Sequence, residues 1–163
     1  ATLPPFFGGG GMIRTVTIDR TEYADGPRRF EAGTPPIGGA IGLAAALDLI
    51  DGIGLERIAA HDAALTVYAE ARLPEIAGLK IIGRPRHRAG ILSFTMEGLH
   101  PHDIGSLLGA EQICIRAGHH CAQPLMEHFG LTGTARLSFA VHNTTYDIDR
   151  LVDSLTRVRQ MLR

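Results

Sequence analysis

The sequence is short of lysine, cysteine and tryptophan. Of its 16 basic residues only Lys80 is a lysine, so chemistry that needs a side-chain amine has one candidate. Two cysteines, Cys114 and Cys121, are too few for the disulfide framework of a small secreted domain, and no charged stretch followed by an apolar run opens the chain. A reducing, cytoplasmic setting is the expectation that follows. Long apolar runs are missing too. The longest uncharged stretch, residues 32–47, is broken by Gly and Pro and falls short of the ~20 residues of a bilayer crossing. Nor does charge of one sign dominate: 16 basic residues face 17 acidic ones, a net of -1, so neither nucleic acid nor a membrane surface is an expected partner.

What is present suits one folded, turn-rich body, with 45% hydrophobic and 20% charged residues and 20 Gly among 163 positions. Residues 1–30 read as a glycine-rich hook or hairpin with a linker: an irregular Leu3-Pro4-Pro5-Phe6-Phe7, glycines at 8–11, then alternation over 12–18. Thr34 reads as the N-cap of a small-residue helix that has Pro35 at its first position and runs to about Ile50. Gly52 and Gly54 punctuate, and a second helix over 55–73 turns Leu65, Tyr68 and Leu73 toward a core; the two helices are expected to pair. Strands are expected over 79–82, 90–96, 112–115 and 134–140, and helices over 100–108 and 124–129, with a final helix to about 162 that Asp147 caps or opens. Strands interleaved with helices on one sheet face predict the α/β class, as an α+β two-layer sandwich.

The densest reactive cluster is the run from Arg116 to Pro124, Arg-Ala-Gly-His-His-Cys-Ala-Gln-Pro, placed in a loop between a strand and a short helix. Two imidazoles, a guanidinium and a helix start near Cys121 favour a thiolate there, which makes it a candidate nucleophile; the plainer alternative is a packed loop cysteine. Cys114, between Ile113 and Ile115, reads as a small buried hydrophobe. Zinc is a rival reading, since His100, His102, His119, His120 and Cys121 are all ligand types, but adjacent His-His-Cys lacks the usual ligand spacing and no metal is assigned. His61, His87, His128 and His142 are isolated. Arg136, opposite in strand phase to Leu137 and Phe139, is either a solvated strand charge or a clamp for a substrate carboxylate. Gly33-Thr34 ahead of a helix is either a plain cap or a cradle for a phosphate.

These pieces, in this order, resemble the C-terminal part of the SUF-type, group II cysteine desulfurases, pyridoxal-phosphate enzymes of aminotransferase class V and fold type I. The resemblance runs through Leu3-Pro4-Pro5-Phe6, Gly8 to Gly10, Met12-Ile13, Phe30 to Pro35, Arg116 to Met126, Arg136 to Phe139 and Asn143-Thr144. It implies that residues 31–163 form the small domain of such an enzyme, with helices on a short, mostly antiparallel sheet. It further implies that Cys121 takes sulfur from L-cysteine as a persulfide and L-alanine leaves, for iron-sulfur cluster assembly. Arg136 then holds the substrate carboxylate, Arg116 is a second arginine near substrate and loop, and Gly33 and Thr34 reach the cofactor phosphate of a partner in a homodimer. A sulfur-acceptor protein of the SUF system is the implied partner.

The family binds pyridoxal 5'-phosphate through a lysine in a His-Lys pair upstream of Leu-Pro-Pro-Phe. Lys80 matches a structural strand position instead, so the chain is expected to be a portion of a longer enzyme and inactive alone. Gly11 stands where the family usually has an acid and His142 where it often has Tyr. The alternative is a stand-alone persulfide carrier or interaction module that docks sulfur-acceptor proteins, in a zinc-binding variant with His100, His102 and Cys121 as ligands, or with His102 approaching a partner's metal.

Overall fold

The computed structural model describes residues 3–161, which divide into two compact units, 3–52 and 53–161. In the first unit, strand β1 (Ile13–Val16) pairs antiparallel with β2 (Thr21–Tyr23). The second strand of this hairpin lies in the polar stretch after residue 18, where no apolar alternation signals it. The Gly33 N–H donates to the Gly10 carbonyl at 2.8 Å and ties the glycine hook to the segment ahead of the first helix.

That helix, α1, spans Ile37–Ile53. Its start corrects the expectation of a Thr34 cap. The Pro36 carbonyl accepts the first helical bond, from the Ala40 N–H at 3.0 Å, and Thr34 lies in the bend before it. A residue ahead of proline is pushed out of the helical region, so the Pro35-Pro36 pair displaces the start by two positions. The C-terminal end runs through Gly52, which does not punctuate. None of the described residues of α1 is buried.

The second unit opens with Gly54 at φ +91°, the N-cap of α2 (Leu55–Arg72). Leu65 and Leu73 are buried as expected, while Tyr68 is half-buried and its hydroxyl donates to Asp149 at 2.9 Å. Accepting that bond stabilises the carboxylate only while the phenol keeps its proton, so the Tyr68 pKa is raised. Four strands follow in the spatial order β3 (Leu79–Ile82), β4 (Ile91–Met96), β6 (Thr134–Ser138), β5 (Arg116–Gly118), every pair antiparallel. Helices α3 (Pro101–Ala110), α4 (Gln123–His128) and α5 (Thr145–Met161) complete the unit.

One sheet face presents Leu92, Phe94, Met96, Ala135 and Leu137 to a core completed by Leu65 and Leu73, Ile104 and Leu108 of α3, and Ile148, Leu151, Val152 and Leu155 of α5. The α5 positions recur at helical spacing, and each large aliphatic side chain withdrawn from water contributes about 1.5–3 kcal/mol. Asp147 Oδ2 accepts the Thr144 N–H at 2.8 Å, the reach-back half of a capping box, and this bond holds its carboxyl below the usual range.

The third strand lies later than expected. Residues 112–115 are not paired in the sheet, and β5 takes 116–118 from the expected loop. The reason is the end of α3: Gln112, at φ +61°, donates to the Gly109 carbonyl and Ile113 to the Leu108 carbonyl, a Schellman closure that consumes the start of the segment. Cys114 follows this turn and is exposed, which corrects its reading as a buried hydrophobe.

Candidate active site

Strand alternation sends Ser93, Arg136 and Lys80 to the sheet face opposite the core. There the register sets Arg116 of β5 directly across from Arg136 of β6. Like charges opposite one another are unfavourable in a sheet, and no acid relieves them, since neither arginine forms an ion pair among the described residues. Arg136 is half-buried and its Nε is enclosed without a hydrogen-bond partner. Two adjacent guanidinium forks with no acid between them offer planar donors of the kind that suits a carboxylate.

Cys121 joins this pair through the chain itself. After β5 the backbone reverses over residues 119–122, closed by the Ala122 N–H donating to the His119 carbonyl at 2.9 Å, with His120 at φ +54° and Cys121 at φ +58°. Positive φ at both central positions marks a type I′ turn, normally filled by Gly, Asn or Asp. The turn brings Cys121 Sγ, exposed, to 3.7 Å from Arg116 Nη2, which donates to it. The His120 ring folds the other way, its Nε2 lying 3.1 Å from the carbonyl oxygen and 2.8 Å from Oγ1 of buried Thr134. Burial, then the charge of Arg136, lowers the His120 pKa against the opposing Thr134 backbone bond.

Beneath the turn, β5 and β6 meet at van der Waals limit: a Cβ built on Gly133 would stand 3.0 Å from the Gly118 carbonyl carbon. Neither Thr134 nor Gly133 stood out in the sequence. The repeated glycine on both sides of the turn was the only signal available.

His100 and His102 sit at the start of α3. His100 is the N-cap of α3, its Nδ1 accepting the His102 N–H at 3.3 Å, and the two rings stack at 5.4 Å, with His102 against Gly118. Among the described residues no three His, Cys, Asp or Glu side chains converge on a metal position.

Gly33 and Thr34 belong to the first unit. Gly33 is at φ +90° with open space where a Cβ would stand, but its N–H is committed to Gly10, and no bond involves the Thr34 hydroxyl among the described residues. Lys80 lies on β3, the sheet edge opposite β5; three strand spacings of about 4.8 Å separate the two edges. The sole lysine is therefore across the sheet from Cys121 and its arginines, and the residues present do not supply a Schiff-base amine beside them.

The aminotransferase class-V family model matches residues 1–151. The chain belongs to this family. Within it, the chain is 48% identical over 159 residues to a probable cysteine desulfurase of Streptomyces coelicolor and 47% identical over 159 residues to a cysteine desulfurase of Synechococcus elongatus. Those alignments take in 96% and 98% of this chain but 38% and 25% of the relatives, so the chain spans well under half the length of these class-V proteins. Among solved structures it superposes on the cysteine desulfurase CsdA of Escherichia coli with a TM-score of 0.84 and 36% identity, covering 98% of this chain and 40% of that one. A cysteine desulfurase from Thermococcus onnurineus gives 0.82 and 41% over the same shares.

Proposed function

We propose that this chain is the C-terminal part of a cysteine desulfurase, its residues 31–163 forming the small domain, in which Cys121 accepts sulfur from L-cysteine. The observation that carries the reading is the exposed Cys121 thiol held 3.7 Å from Arg116, itself paired across the sheet with Arg136. An α-amino acid carboxylate seated on the two guanidinium groups is bound beside the thiol. Cys121 sulfur attacks the substrate sulfur, the carbon–sulfur bond breaks, and its electron pair stays with carbon, which takes a proton to become L-alanine. Cys121 keeps the transferred sulfur as a persulfide.

Pyridoxal phosphate, bound in the complete enzyme, supplies the electron sink that this bond cleavage requires. Its lysine is not among the residues of this chain, so the chain alone does not turn over cysteine. Thr34 contributes a hydroxyl to the phosphate of the neighbouring subunit in a homodimer. The exposed loop suits delivery to a sulfur-acceptor protein of the SUF system in a reducing cytoplasm, in the service of iron-sulfur cluster assembly.

The test is the intact mass of the full-length enzyme after exposure to L-cysteine. Parent protein gains one sulfur atom on the Cys121 peptide, and Cys121→Ala gains none while retaining the cofactor absorbance. Full alanine production by Cys121→Ala overturns the reading. Sulfur uptake by this chain from a small persulfide donor, with no upstream cofactor domain in its reading frame, points instead to a stand-alone carrier.

A further inference from the structure

The turn that presents Cys121 is built from the wrong residues. His120 and Cys121 hold φ values of +54° and +58°. A left-handed backbone is unfavourable for an ordinary side chain. Such strain persists only where the surroundings over-determine it. Cys121 is exposed and touches one guanidinium, which leaves His120 as the residue of the turn with a second anchor. That anchor is Thr134, 1% exposed and held across from Gly118 in the ladder between β5 and β6.

The direction of the bond follows from the acceptor. Nε2 has two neighbours on Thr134: the carbonyl oxygen at 3.1 Å only accepts, so a bond to it needs a hydrogen on Nε2, and Oγ1 at 2.8 Å can accept from the same N–H. Nδ1 is buried with no partner among the described residues. Arg136, Arg116 and His119 are the charged and titratable groups that face the ring, and all three oppose a second proton on it. The ring thus tethers the turn to one residue of the sheet, Thr134, 14 residues along the chain.

We propose that His120 is a positioning residue, whose Nε2–H donated to the Thr134 carbonyl pins the left-handed His120–Cys121 turn and thereby presents the Cys121 sulfur beside Arg116. It does not touch substrate; it acts through the thiol. The inference rests on Cys121 being the acting thiol, but its test needs neither substrate nor cofactor.

The experiment compares His120→Gln with His120→Leu in the full-length protein. Both carry the same left-handed backbone cost and fill similar space; only glutamine places an N–H donor at the ε position. The rate of iodoacetamide alkylation is read by peptide mass for Cys121, with exposed Cys114 in the same molecule as the internal control. Relative to Cys114, the leucine variant is expected to alkylate Cys121 at least about threefold more slowly, because the sulfur loses its charge-assisted contact, and the glutamine variant to keep the parent rate. Arg116→Ala should slow the parent and have no further effect in the leucine background, the non-additivity of two changes that break one contact. A parent-like rate in the leucine variant, equal slowing by glutamine and leucine, or an Arg116→Ala effect that is absent in the parent or undiminished in the leucine background each overturns the proposal. None of these outcomes bears on persulfide formation, which the Cys121→Ala experiment decides separately.

Discussion

On the proposed reading, Arg136 is a side chain tuned for a ligand at the expense of its own fold. It stands across from Arg116 with its Nε enclosed and unpaired, a combination that destabilises an empty sheet and is relieved by a carboxylate. Arg136→Ala is therefore expected to leave the thermal midpoint of the protein unchanged or raise it. In the full-length enzyme the same change removes a charge-assisted clamp of about 1.5–3 kcal/mol and lowers kcat/KM roughly 10–100-fold, chiefly through KM. A clear drop in melting temperature with KM unchanged makes Arg136 structural and defeats its role as a clamp. At this scale the sequence was legible where chemistry is intrinsic to residue type: a thiol, two guanidinium groups and two imidazoles within one short stretch and a following strand. It did not separate His120 from His119, because adjacent histidines differ only in which one the turn folds toward Thr134.

At the scale of elements, β5 and β6 position the site, and their fit is set by two glycines. A Cβ at Gly133 would lie 3.0 Å from the Gly118 carbonyl carbon and 3.1 Å from its oxygen, both backbone atoms that cannot swing aside. Gly133→Ala is expected to cost about 1–3 kcal/mol through forced separation of the strands. A urea midpoint equal to that of the parent contradicts this tight approach. Most elements could be read from periodicity and caps: α2, α3, α5, β3, β4 and β6 lie within a few residues of where apolar spacing and the Asp147 signal put them. The failures share a cause. The start of α1 moved because two consecutive prolines restrict the residues before them, and β5 moved because the turn after α3 took Gln112 into a left-handed cap. Both are backbone events with little trace in hydrophobic pattern.

For the whole molecule, the telling feature is α1, whose only charged residues are Asp48 and Asp51, yet with Ile37, Ile41, Leu43, Leu47 and Leu49 each more than half exposed. A helix of this kind belongs inside a larger body. An exposed apolar surface of this sort drives association. Sedimentation of the isolated chain should show average mass rising with concentration, and Ile41→Ser with Leu49→Ser should reduce that rise. A strictly monomeric chain at every concentration contradicts the expectation. The sequence by itself determined the chemistry available, the α+β alternation and the family, because side-chain type and apolar period are local properties. Only the tertiary structure decided that Arg116 faces Arg136, that Cys121 reaches Arg116 through a strained turn, and that Lys80 lies on the far edge of the sheet. Those facts depend on strand register and order, which join residues distant in the chain and are written in no single stretch of it.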